Sequence, residues 1–240
     1  MTRQSCTGLV LSALILTAWS GLHVYALFFH PLSHWAGSLI LMIALTWLSV
    51  GLFILAHDAM HGSLAPEKPA LGHALGAVAL ALYAGFTYAR LLPQHHRHHD
   101  HAGTADDPDF HAANPKALLP WYWQFMRTYF GWREVIIMQV RVTLYWLMGA
   151  SIPAILVFFA LPGIVSSMQL FYFGTWLPHR HQEDAFADHH HARSNAYGWW
   201  WSLISCFHFG YHHEHHLSPR TPWWALPAKR RELQSGGPRP

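Results

Sequence analysis

Charge is scarce in this chain. Of 240 residues, 15 are Lys or Arg and 12 are Asp or Glu, 11% in all, less than half the share of a soluble domain. Between Arg3 and Asp58 there is no charged residue. A soluble surface and a disordered chain both need more than this, which leaves an integral membrane protein of one compact domain, residues 1–234, with a disordered tail, 235–240. Cysteine is almost missing as well. Cys6 and Cys206 can build neither a disulfide framework nor a Cys-rich zinc site, and read as free thiols on a reducing side. There is no flavin or nucleotide fingerprint, no Cys cluster for an iron–sulfur centre, no internal repeat and no low-complexity segment. The formal net charge of +3 comes without a basic stripe, so nucleic acid is not an expected partner.

Long apolar runs are present instead. Gly8 to Phe29 exceeds the apolar core of a cleavable signal and reads as a retained span. A short break, His30-Pro31-Leu32-Ser33-His34, leads to a second run, Ala36 to Ala56, which ends directly at His57. These two form a helical hairpin. Pro69 to Ala89, rich in Ala and Gly, is expected to lie in the interface or to dip in and return. A full crossing would part His61 from His95. Glu134 to Pro178 is about twice the length a bilayer needs and reads as a second hairpin, broken at Pro153 and at Pro162-Gly163. Arg141 lies inside its first arm, which is costly unless it meets protein, water or a headgroup. The fold class is therefore all-α and integral to the membrane, with four spans in two hairpins and a cap that carries the histidines. Arg180, Arg193, Arg220, Lys229, Arg230 and Arg231 fall on the side of that cap and of both termini. The opposite loops have almost no Lys or Arg, so the positive-inside rule makes that side cytoplasmic, in a bacterial inner membrane. Trp199-Trp200-Trp201 and Trp223-Trp224 are expected at headgroup level.

Histidine is abundant, with 22 residues, and it is clustered. His57 and His61 stand at i and i+4 at the end of the second span, on one helix face. His95, His98 and His99 follow at i, i+3 and i+4, and His212, His215 and His216 repeat that spacing. His208 stands one turn before His212. His179 ends the last span as His57 ends the second, and His181, His189, His190 and His191 lie nearby in a looser group. Packed imidazoles repel on protonation and need partners when neutral, and a shared metal centre resolves both problems. Three boxes and His179 supply nine imidazoles. A structural zinc site takes four, so nine suit two metals with room for oxygen or water. Imidazole alone does not choose among Zn, Cu, Fe and Ni. Asp58, Asp100, Glu214, Asp106, Asp107 and Asp109 are candidates for fixing imidazole tautomers. For the last three a solvated turn is an equal expectation.

The boxes HxxxH, HxxHH and HxxHH, in this order on such a scaffold, resemble the membrane fatty acid desaturase and hydroxylase superfamily over roughly residues 56–224. Longer stretches resemble one branch, the bacterial-type β-carotene ketolases: Phe53 to Gly62, His98 to Phe110, Tyr129 to Arg133, Phe173 to Arg180, and Cys206 to His216 with Pro222-Trp223-Trp224. Ser218 departs from that pattern, where a histidine would be expected. His96, His189 and His191 look like additions, and the weaker match over 182–191 leaves the role of His190 open. The resemblance implies two non-haem irons held by His57, His61, His95, His98, His99, His179, His212, His215 and His216, with His208 a weaker candidate. It places Thr175 where acyl desaturases carry a water-bridging Asn. It further implies O2 as co-substrate, a carotenoid drawn from the membrane lipid, and oxidation of the C4 methylene of a β-ionone ring to a ketone by two hydroxylations and a dehydration. Electrons would come from an external donor of ferredoxin type, docking on the basic face. The boxes alone would also suit a fatty acyl desaturase or a carotenoid 3-hydroxylase. A divalent metal transporter would need polar ligands near the bilayer midplane, where the spans offer His23, Arg141 and little else.

Overall fold

The computed structural model describes residues 1–236, and every element in it is helical. Helix α1 (Arg3–Phe28) and helix α2 (Trp35–Met60) form the first hairpin. The start of α1 lies close to the loop after α2: a Cβ on Gly8 would stand 1.9 Å from the Leu64 carbonyl oxygen, so only glycine fits. Trp19 Nε1 of α1 donates to Ser49 Oγ of α2 at 3.0 Å, satisfying both groups inside the pair. Apolar side chains surround α2, and from Leu48 to Met60 nearly every residue is buried. Helix α2 is the post on which α1, α3 and the last long helix all pack.

Helix α3 (Pro69–Ala84) runs back along α2, antiparallel to it. Gly76 lies against Ala59, and Tyr83 meets Phe53 with ring centroids 6.0 Å apart. The helix then stops at Gly85, in the left-handed region at φ +70°, and the chain bends by 100° into helix α4 (Tyr88–His101). The bend brings His95 back beside His61. The end of α3 is held by Arg141, whose guanidinium donates to the carbonyl oxygens of Leu82, at 2.8 Å, and Ala81. These are last-turn carbonyls at the negative end of the helix dipole, and while Ala81 also accepts the Gly85 amide, Leu82 is one of the carbonyls a helix end leaves without a helical partner. Arg141 also lies over the Phe159 ring. The otherwise costly cation is a cap for the end of this helix.

Helices α5 (Leu118–Tyr129) and α6 (Trp132–Leu147) lead to the last long helix, α7 (Ile152–His179). The second hairpin turns at Met148–Ser151, with Gly149 at φ +100° and Ser151 Oγ capping the Ala154 amide at 3.2 Å. The expected breaks at Pro153 and Pro162-Gly163 are not breaks. Pro153 sits in the first turn of α7, where its missing N–H is not needed. Pro162 and Pro178 lie within α7, each just after a π turn, at Leu156–Ala160 and Tyr172–Trp176. The wider turn shifts the hydrogen-bond register and spares the carbonyl that proline would strike. Helices α8 (Trp199–Cys206), α9 (His212–Leu217) and α10 (Leu226–Gln234) complete the cap. Ser235 and Gly236 close α10 in a turn, and residues 237–240 of the expected disordered tail lie outside the described residues.

Three helices are long and apolar enough to cross a membrane: α1, α2 and α7. At 26 and 28 residues, α2 and α7 are about 39 and 42 Å long. A hydrocarbon core is about 30 Å thick, so one end of each projects from it. Helix α6, with 16 residues, is short for a crossing, although Ile136, Val140, Leu144 and Leu147 are exposed. The loops at one end, His30–His34 and Met148–Ser151, carry no charge, whereas the histidines and the amino terminus gather at the other. Trp199, Trp200 and Trp201 are exposed, but Trp223 is not an interfacial residue: it is buried against Phe207 and His208.

Replacing Arg141 with leucine should loosen the end of α3. Hydrogen bonds from a charged donor are worth about 1.5–3 kcal/mol. Arg141→Leu is expected to lower the thermal midpoint of detergent-solubilised protein by several degrees, and a midpoint equal to wild type would contradict the capping role.

Candidate metal centre

The box histidines sit on short lengths of helix that meet at the projecting end of α2. His57 lies in its last turn and His61 caps it, α4 carries His95, His98 and His99, α7 ends on His179, and α9 carries His212, His215 and His216. Their nitrogens collect into two groups, each with ligand atoms within 4.8 Å of one another: His57, His61, His95, His99 and His215 in one; His98, His179, His212 and His216 in the other. The grouping does not follow the boxes. His98 leaves its own box for the second group, and His215 leaves its box for the first. All nine predicted residues are brought together.

The nitrogens face one another at short range, and which of each pair carries a proton depends on the tautomers. Nε2 of His95 and His61 are 2.7 Å apart, those of His215 and His99 3.1 Å, those of His179 and His212 3.0 Å, and those of His216 and His212 3.1 Å. Two imidazole nitrogens bound at right angles to one metal, each about 2.05 Å from it, would stand about 2.9 Å apart. Both ring nitrogens of His57 are buried without a hydrogen-bond partner. A buried donor or acceptor left unpaired is costly, and a cation among these lone pairs removes that cost. The donor set therefore fits a pair of nitrogen-loving divalent ions.

Other residues aim the rings. His98 Nδ1 donates to Asp107, with oxygens at 2.9 and 3.0 Å. His179 Nδ1 donates to the His191 carbonyl at 2.8 Å. Each leaves Nε2 free for the metal side. Asp107 is buried and also accepts the amides of Gly103 and Asp109, so it is no solvated turn, whereas Asp106 and Asp100 are exposed. Asp58 accepts the Trp223 amide at 3.0 Å and stands 3.5 Å from His57 Nδ1. Glu214 fixes no ring: it accepts from Arg230 at 2.9 Å and from Ser194, tying α9 to α10. His208 is outside both groups. Phe207 and His208 adopt left-handed φ values of +48° and +63°, which break the helix and send the ring against Trp199, Tyr211 and Trp223. His190 is also outside them, its ring 6.0 Å from His216. Sequence reasoning missed the His191 backbone and the pair Asp109–Tyr129. An Asp-rich run directly after the second box was the available signal.

An apolar cavity of about 380 Å³ ends at this centre. Its wall includes His57, His95, His98 and His212, then Thr175, Phe171, Gly163 and Phe159 along α7, with Tyr83 of α3 and Phe125 and Tyr129 of α5 facing them. Thr175 to Phe159 is about 24 Å of helix, so the lane takes an extended molecule lengthwise. The electrostatics favour neutral rings. Burial and neighbouring histidines hold His61, His95, His99, His212, His215 and His216 well below the ordinary 6.5. Burial opposes protonation of His98 too, but Asp107 outweighs it and raises the pKa. In the same way His98 holds the Asp107 carboxyl below its usual range against burial. Burial pushes Asp109 up to about 6 and, with Asp109 beside it, raises Tyr129 above the usual phenol range.

A ring whose pKa is lowered by folding binds fewer protons folded than unfolded, so its contribution to stability is complete above pH 6.5 and is lost as the pH falls below it. Each such histidine costs up to about 1.4 kcal/mol per pH unit there. Metal-depleted protein is expected to lose thermal stability steeply between pH 6.5 and 5, and metal-loaded protein to resist over that interval. Equal pH profiles with and without metal, followed by differential scanning fluorimetry, would contradict a shared centre.

The chain was then set beside known proteins. Residues 29–133 and 114–239 match the family described as Fatty acid desaturase. The chain is 50% identical over 232 residues to a beta-carotene ketolase of Paracoccus sp. (strain N81106 / MBIC 01143), covering 94% of this chain and 93% of that protein. It is 48% identical over 236 residues to the beta-carotene ketolase of Paracoccus sp. (strain PC1), covering 96% and 95%. A zeaxanthin 4-ketolase of Chlamydomonas reinhardtii is 36% identical over 248 residues, 98% of this chain and 55% of that longer protein. With the boxes gathered around one centre and the family matched along nearly its whole length, the chain belongs to the fatty acid desaturase family of membrane oxidoreductases.

Proposed function

We propose that this protein is a carotenoid 4-ketolase, an O2-dependent membrane oxygenase that converts the C4 methylene of a β-ionone ring to a ketone. The observation that carries the reading is an apolar lane that ends on two groups of converging imidazoles, in a chain similar to ketolases over almost all its length. The ions would be iron: one held by His57, His61, His95, His99 and His215, the other by His98, His179, His212 and His216. Reduced and combined with O2, they would supply an oxidant able to take hydrogen from carbon and return oxygen to it.

The residues of the chain do the rest. Phe125, Phe159 and Phe171 line a dry lane that takes a rod-shaped hydrocarbon from the bilayer and turns its ring toward His57, His95, His98 and His212. Keeping the imidazoles neutral leaves their lone pairs available as ligands. Asp107 and the His191 carbonyl hold two of them in one tautomer. Each hydroxylation consumes one O2 and two electrons, with two protons, and releases one water. The second gives a geminal diol, which loses water to become the ketone. The electrons would come from a ferredoxin-type donor on the basic face of the cap, where Arg220 and Arg231 are exposed.

In this reading α1, α2, α6 and α7 make four crossings, α3 is re-entrant, and the cap with both termini is cytoplasmic. Impermeant maleimide should label Lys68→Cys and Arg97→Cys, in a Cys6→Ser background, from the same side. Labelling from opposite sides would remove the topology. Co-expressed with a β-carotene pathway, the protein should turn β-carotene into monoketo and diketo products with a red-shifted absorption. His61→Ala and His215→Ala should each lower ketone formation by at least about a hundredfold and reduce bound iron. Unchanged β-carotene with wild-type protein in the membrane would defeat the reading. A 3-hydroxylated product, or a new acyl double bond, would replace it with another activity of the same family.

A further inference from the structure

The lane is apolar along its length but not at its metal end, and the polar groups there are of two kinds. His57, His95, His98 and His212 belong to the metal groups. Tyr129 does not, and Asp109 lies outside both histidine groups, clustered with Asp107 on the Nδ1 side of His98. The Tyr129 hydroxyl donates to Asp109 Oδ1, and both residues line the cavity. Asp109 Oδ2 lies 3.8 Å from His98 Nδ1, beyond hydrogen-bond length, and has no hydrogen-bond partner among the described residues. The Asp109 side chain is 13% exposed, and its backbone is fixed on both sides: its amide donates to Asp107 and its carbonyl accepts Trp121 Nε1. The carboxyl is thus a built feature of the wall.

A carboxyl group in an apolar cavity is costly unless something hydrogen-bonds to it. A hydrocarbon ring has nothing to offer. The ring after one round of oxidation does, since it carries a hydroxyl on the carbon that must react again. Asp109 Oδ2 can accept that O–H, and the Tyr129 oxygen retains a free lone pair beside it. The site is matched to the half-oxidised substrate rather than to the starting one.

We propose that Asp109 and Tyr129 form the binding site for a ring hydroxyl adjacent to the metals, and that they retain the 4-hydroxy intermediate and present its remaining C4–H for the second oxygenation. The inference rests on the ketolase reading. In the retained step C4–H and C4–OH become C4(OH)2, with one O2, two electrons from the external donor and two protons from solvent consumed and one water released. The diol then loses one hydroxyl together with the proton of the other, giving the C=O and a second water. Asp109 and Tyr129 touch the intermediate and need not exchange a proton with it.

The experiment is product partition. Wild type, Tyr129→Phe and Asp109→Asn are expressed in a β-carotene host, and alcohol, ketone and bound iron per chain are measured. Total turnover is expected to fall in both variants, while the ratio of 4-hydroxy to 4-keto product rises about tenfold, the worth of one hydrogen bond to a charged group. In membranes fed 4-hydroxy carotenoid, KM should rise by a larger factor than with β-carotene. Should Asp109→Asn lose iron, Tyr129→Phe decides alone. Alcohol and ketone falling in proportion, with iron retained, would overturn the proposal. So would a loss confined to 3-hydroxylated substrates with partition from β-carotene unchanged, since the pair would then read a hydroxyl already on the ring. No ketone from the wild-type control would instead strike the ketolase reading itself.

Discussion

The constraint on which this molecule depends is the crowding of neutral imidazoles. Nine rings from four separate lengths of helix bring their nitrogens to within a few ångströms of each other. Apart from His98, which Asp107 favours in its protonated form, the rings of the cap are not cheaply protonated, because burial and the other rings oppose it. Each contact joins two ring nitrogens, so a pair can share one proton at most. Such an arrangement is unstable by itself and stable around cations. The cap is therefore a scaffold whose interior is completed by the ions it would hold, and folding and metal binding are one equilibrium there.

That requirement explains the rest of the architecture. The first two boxes must meet, yet an apolar helix separates them. A straight continuation of α3 would carry His95 away, so the chain bends by 100° after Gly85, and the last-turn carbonyls of α3 are left in apolar surroundings. Arg141 satisfies them from α6. The same turn places Tyr83 and Phe86 in the wall of the lane. The device that returns the second box to the first thus also shapes the path by which a substrate reaches both.

Much of this was legible in the residues, for reasons that can be named. The i, i+3, i+4 spacing makes one helix face, so each box could be read as a set of ligands. The chemistry also required His61 and His95 to meet, which is how their convergence was anticipated. What local spacing cannot give is partition. Whether His98 joins His95 or His179 depends on where four helices cross, and Asp107 pulls its ring by Nδ1 toward the second group. His208 fits the helical spacing, but left-handed φ values at Phe207 and His208 end the helix first. The misplaced hairpin turn has a similar cause. Proline was taken as a break, and two π turns let α7 pass both Pro162 and Pro178 unbroken. Asp107 and Asp109 sit in a run that looks like a solvated turn, and only their burial distinguishes them from Asp106.

The groups that aim the rings lie on irregular segments. Asp107 and the His191 carbonyl belong to two loops that are themselves joined, since His191 Nδ1 donates to the Ala102 carbonyl at the end of α4. His213 donates to Asp188 at 2.8 Å and its amide donates to Ser194, fastening α9 to the second of these loops. Glu214 fastens the same helix to α10. Every ligand-bearing helix end in the second group is thereby tied to another through a hydrogen bond outside the metal shell. A shift in one loop must move His98 and His179 together, because Ala102 and His191 link the pieces that hold them. The geometry is set jointly, which is what a centre needs if its two ions are to keep a fixed separation while a long, featureless hydrocarbon is moved past them.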